Sequence, residues 1–72
     1  MKWSHINDKR EYRADTPGYR GRVWNEPTNR RVWSVEINGV GGLRVVASGE
    51  TATVTRSKVC AEAVINAMKR RQ

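Results

Sequence analysis

Hydrophobic and polar residues alternate with a period of two through much of residues 19–47, most clearly in Arg31-Val32-Trp33-Ser34-Val35-Glu36-Ile37-Asn38. Trp33, Val35 and Ile37 share one parity. Ser34, Glu36 and Asn38 share the other, with Val32 as the exception. Alternation of β-branched and aromatic residues with polar ones is the pattern of a strand buried on one face only. A strand is also predicted over residues 19–24 and another over 43–47. Asn25-Glu26-Pro27-Thr28-Asn29 supplies turn formers between the first two. Gly39-Val40-Gly41-Gly42 supplies residues that take positive φ between the second and third. Connections this short imply an antiparallel meander. In the third strand the alternation assigns Leu43, Val45 and Ala47 to the covered face, and Arg44, Val46 and Ser48 to the open one.

The period changes towards the C-terminus. Val59, Cys60, Ala63, Val64, Ala67 and Met68 recur at helical spacing, with Lys58, Glu62, Asn66 and Lys69 on the opposite side. The helix is expected to begin behind an N-cap at Thr55 or Thr53 and to run to about residue 70. Lys69, Arg70 and Arg71 suit the negative end of its dipole. Its apolar stripe is the natural cover for the sheet. Residues 1–18 hold no sustained period and end in the turn-forming Thr16-Pro17-Gly18. They read as a poorly ordered N-terminal arm or tail, in which residues 1–6 offer a short edge strand anchored by Trp3. The expected fold is therefore α+β: a three-stranded antiparallel meander over residues 19–72 packed on one C-terminal helix, preceded by an arm over residues 1–18.

Composition narrows the function. The chain has 72 residues, 38% of them hydrophobic, and no Phe, so its core is small. Its formal net charge is +7, from 14 basic and 7 acidic residues. Only four of the basic residues and three of the acidic ones fall in residues 1–18, so the excess belongs to the folded part. An Arg-rich domain of this size points to an anionic partner, most simply nucleic acid. One Cys and one His argue against a disulfide framework and an ordinary zinc site. No cofactor is implied. No apolar run approaches the ~20 residues of a membrane span, and no secretory h-region is visible, which points to a cytoplasmic chain. Paired catalytic carboxylates, a phosphate loop, a nucleophile elbow and a metalloprotease helix motif are all missing, so the expectation is a non-enzymatic protein.

Tyr19-Arg20-Gly21, followed by Trp33-Ser34-Val35-Glu36-Ile37, resembles the paired strand motifs of the ethylene-response-factor type of DNA-binding domain. That fold is shared by the arm-binding domains of phage and transposon integrases. The resemblance covers roughly residues 19–64. It implies a sheet laid in the DNA major groove, with Arg20 and Glu36 at groove-facing positions and Trp33, Val35 and Ile37 beneath the helix. The chain departs from the family at Gly21-Arg22-Val23, where the family has Gly-Val-Arg, and at Asn38, where it has Arg. The family's Trp-Leu-Gly on the third strand is also missing.

The candidate contacts are Arg20, Arg22, Trp24 and Arg44 on the open face, with Arg30 and Arg31 at the hairpin end. Guanidinium groups fit phosphates and the guanine edge, and an indole stacks on a base or sugar. Glu36 either accepts from cytosine N4 or pairs across strands with Arg22 or Arg44. The expected function is a small double-stranded DNA-binding protein of phage or mobile-element type. The alternative is an interaction or inhibitor module that binds an acidic protein surface through Trp24, Val32, Val46 and an arginine rim. The expected state is a monomer or weak homodimer; a homodimer through the sheet face would block the groove surface.

Overall fold

A computed structural model describes residues 2–6, 11–26 and 30–71. The chain forms β1 (Ser4–Ile6), β2 (Glu11–Thr16), β3 (Tyr19–Asn25), β4 (Arg31–Gly39), β5 (Gly42–Thr51) and α1 (Val54–Arg70). All five strands join one antiparallel sheet in the order β1-β2-β3-β4-β5. The class is thus α+β with a C-terminal helix, but the sheet has five strands where the alternation predicted three. The segment read as an arm supplies the other two.

The physical reason lies in β2. It pairs with β3 along its whole length, from Glu11 opposite Trp24 to Thr16 opposite Tyr19. Pro17 and Gly18 make the turn, with Gly18 at φ +86°. Glu11, Arg13 and Asp15 occupy one face, while Tyr12, Ala14 and Thr16 occupy the other. That is a period of two, but its inward residues are small or polar, so hydrophobicity alone does not reveal it. β1 then pairs with β2 through Ser4 opposite Arg13 and Ile6 opposite Glu11. The His5 ring lies 4.8 Å from that of Tyr12, its cross-strand neighbour.

The helix covers one face. Tyr19, Val35, Ala61 and Ile65 form the buried cluster, flanked by Trp3, Trp33, Ile37, Ala47, Val64 and Met68. The parity read for Trp33, Val35 and Ile37 therefore holds. The helix is turned from its expected phase. Ser57, Ala61 and Ile65 face the sheet, Cys60 is half-buried, and Val59, Ala63 and Ala67 face outward. Ser57 tolerates burial because its hydroxyl lies 2.6 Å from Thr51 Oγ1 and donates to the Arg31 carbonyl at 3.5 Å. Ala61 allows close approach. Gly21 makes room as well: a Cβ there would stand 2.9 Å from Trp3 and 3.5 Å from Ile65. Thr53 caps the helix by accepting from the Arg56 backbone N–H at 3.1 Å.

A register shift between Val35 and Glu36 changes the third predicted strand. Val35 pairs with Ala47 but Glu36 pairs with Val45, which leaves Val46 as the extra residue of a β-bulge. The bulge reverses parity beyond it. Arg44 now pairs with Ile37 on the helix side, while Leu43 and Val45 share the open face with Asn38 and Glu36. The assignments expected for Leu43, Arg44 and Val45 are thus inverted, because strict alternation takes no account of an inserted residue.

Gly49 is held by the core: a Cβ there would meet three atoms of the Trp33 indole at 2.7–2.9 Å. Gly49→Ala is expected to cost about 1–3 kcal/mol through overpacking. Gly39→Ala, where a Cβ meets nothing within 4 Å, should stay within about 0.5 kcal/mol of wild type. Urea unfolding of the two variants checks both values.

Candidate functional site

The open face of the sheet carries Arg20, Arg22 and Trp24, as the alternation predicted, together with Arg13. None of these three arginines is free. Arg22 Nη2 donates to Glu11 Oε1 at 2.6 Å, and Arg22 Nη1 reaches Glu36 Oε1 at 3.5 Å. Arg13 donates to the other Glu11 oxygen. Arg20 Nε donates to Asp15 Oδ1 at 2.7 Å. Glu11 and Glu36 are buried, and Arg22 and Arg13 are half-buried above them. The Arg22 guanidinium also lies 5.2 Å from the centre of the Trp24 ring, whose indole N–H donates to Glu26 at 2.9 Å. Three arginines on this face thus stand against Glu11, Asp15, Glu36 and Glu50. The face is close to neutral, and its cations are already engaged.

The remaining candidates do not join them. Arg30 is exposed at the β3–β4 hairpin and pairs with Glu50 at 3.5 Å. Arg31 begins β4 on the helix side, beside Ser57. Arg44 lies on the helix side at the opposite end of the molecule. There it lines a hollow of about 150 Å³ with Ile37, Gly39, Val40 and Gly42. Ile37 also lines a hollow of about 230 Å³ with Pro17, Gly18, Tyr19, Asn38 and Met68. Ile37 therefore joins Arg44 and the last turns of α1 at one end.

A second set of cations is gathered on the helix side. Arg44, Arg56, Lys58, Lys69, Arg70 and Arg71 lie there, and Glu62 is the sole described carboxylate on α1. Glu62 accepts from the Trp3 indole at 2.6 Å. Lys58 Nζ lies 4.2 Å from the Tyr12 ring centre and 5.9 Å from that of Trp3. Arg44, Arg56, Lys69, Arg70 and Arg71 have no ion pair among the described residues. Arg56 sits in the first helical turn, which holds no acidic residue. A cation there opposes the helix dipole, so helix stability does not account for it. Adjacent net charge along the chain could not have revealed this partition. It needs the strand pairing that matches each open-face arginine with a carboxylate.

No helix of the described residues is long and apolar enough to cross a membrane. No cluster of three or more His, Cys, Asp or Glu residues suited to a metal occurs among them. Comparison with protein families, curated proteins and solved structures finds no match.

The Glu11 carboxyl titrates below its ordinary value of 4.5: burial alone raises it, but hydrogen bonds and charge from Arg22 and Arg13 together outweigh that. A depressed folded pKa adds stability above pH 4.5 that is lost as pH falls through the lower folded value. Glu11→Gln is expected to cost about 1–3 kcal/mol at pH 7. The gap between variant and wild type should narrow as pH falls below 4.5 and through the lowered folded value, in a series of denaturant titrations.

Proposed function

We propose that the chain is a small non-enzymatic protein that binds double-stranded DNA through the helix side rather than the open sheet face. The partition of charge carries this reading. Among the described residues, six cations accompany α1 against one carboxylate, whereas Arg13, Arg20 and Arg22 on the sheet face are each paired internally. Using Arg22 on a phosphate would require breaking its bonds to Glu11 and Glu36. Two carboxylates would then be left under the polyanion, and such like-charge contact is unfavourable.

Arg56 and Arg70 are fourteen residues apart, or about 21 Å along the helix axis. Cations at both ends of α1 can therefore meet phosphates well separated along one duplex. Between them the outward residues Val59, Ala63 and Ala67 are short, which lets the helix approach closely, and Asn66 is the exposed amide on this stretch that could read a base edge. Binding through this surface is dominated by phosphate neutralisation and tolerates many sequences.

Titration of a fluorescent random duplex across a salt series tests the reading. Four to six phosphate contacts give a slope of log K against log salt of about −4 to −5. Arg56→Ala and Arg70→Ala should each reduce that slope by about 1, while Arg20→Ala leaves it unchanged. Loss of binding in Arg20→Ala alone would return the contact to the sheet face. No binding even at low salt would remove the DNA reading and leave an acidic protein surface as the partner.

A further inference from the structure

The two edges of the sheet are unlike. β1 has three residues, too few to template another strand. β5 has ten, and among the described residues it pairs only with β4. Edge strands are usually guarded by brevity, proline, charge or a bulge; of these β5 has the bulge at Val46 and flanking charges at Arg44 and Glu50. Between Arg44 and Glu50, β5 reads Val45-Val46-Ala47-Ser48-Gly49, with no charge and no proline. Leu43, Val45 and Val46 are 44%, 55% and 38% exposed. Apolar side chains and a free backbone edge thus coincide on one strand.

We propose that β5 is an interface between two copies of this chain, paired antiparallel along these edges. The bulge permits a self-complementary register. A two-fold axis between Val45 and Val46 sets Val45 against Val46 of the second copy, twice. Leu43 then lies opposite Ser48 of the second copy, both on the open face, and Arg44 lies opposite Ala47 of the second copy, both on the helix side. Glu50 falls opposite Gly41 of the second copy. No two like charges oppose each other, and four valines occupy the centre. The Arg44 end of each copy runs towards the Glu50 end of the other, which favours the antiparallel sense over the parallel one. The product is a continuous ten-stranded sheet. Its two-fold axis stands normal to that sheet, so both α1 helices lie on the same side. The pairing stands on the β5 edge alone and does not depend on the DNA reading.

Sedimentation equilibrium over a wide concentration range tests it without nucleic acid. The wild-type chain should dimerise reversibly, and Val45→Lys, at an exposed edge position, should weaken the dimer about tenfold or more. Val59→Lys, 57% exposed on the outer face of α1, should leave it unchanged. Circular dichroism of both variants verifies that each is folded. A dimer indifferent to Val45→Lys overturns the proposal. So does a chain that stays monomeric at several hundred micromolar, which would leave β5 to an extended segment of a different protein.

Discussion

Arg22 ties three strands together with one side chain. From β3 it donates to Glu11 on β2 and reaches Glu36 on β4. Both carboxylates are buried, so each would be costly without its counter-charge. The same contacts decide where the protein can meet an anion. A guanidinium that holds two buried carboxylates is part of the fold and no longer a free cation. Arg13 is committed in the same way to Glu11, while Arg20 pairs with the exposed Asp15. Among the described residues, Arg44, Arg56, Lys69, Arg70 and Arg71, on α1 and beside it, have no ion pair. The polarity of the molecule thus follows from the pairing of β2 with β3 and β4.

The bulge at Val46 has a comparable reach. Without it, Arg44 would stand on the open face beside Glu36, and Leu43 and Val45 would help to cover the core. With it, Arg44 joins the basic helix side, and two apolar residues are left exposed beside a free edge. One inserted residue therefore adds a cation to one surface and exposes apolar area on another. A bulge commonly protects an edge by twisting it away from partners. Here Leu43, Val45 and Val46 are all exposed beside the bulge, so it leaves apolar surface at the edge.

The sequence disclosed those parts of the fold whose side chains alternate clearly in hydrophobicity. The inward parity of Trp33, Val35 and Ile37, the turn at Val40 and Gly41, and the C-terminal helix were legible for that reason. β2 was not, because its inward set of Tyr12, Ala14 and Thr16 is weakly apolar and its outward set mixes both signs of charge. The phase of α1 was misjudged because Ser57 and Ala61 score as poor core residues. The structure buries them to bring the helix close, and Ser57 keeps its hydrogen bonds. Of the candidate site, the open-face position of Arg20, Arg22 and Trp24 was legible and so was the pairing of Glu36 with Arg22. The neutralisation by Glu11 and Asp15 was hidden, since it depends on a strand the alternation did not reveal.

The basic helix side and the β5 edge interact through electrostatics. A two-fold pairing across β5 places both sets of helix cations on one side of a continuous sheet. Repulsion between them opposes the pairing, most strongly at low salt, where screening is weakest. On the proposed reading, a polyanion lying across both helices would offset that repulsion and bind the pair more tightly than the single chain. By linkage the same free energy strengthens the pairing when the polyanion is bound. The apolar centre at Val45 and Val46 is insensitive to this balance, so the edge supplies the attraction while the helix side sets its dependence on salt and ligand.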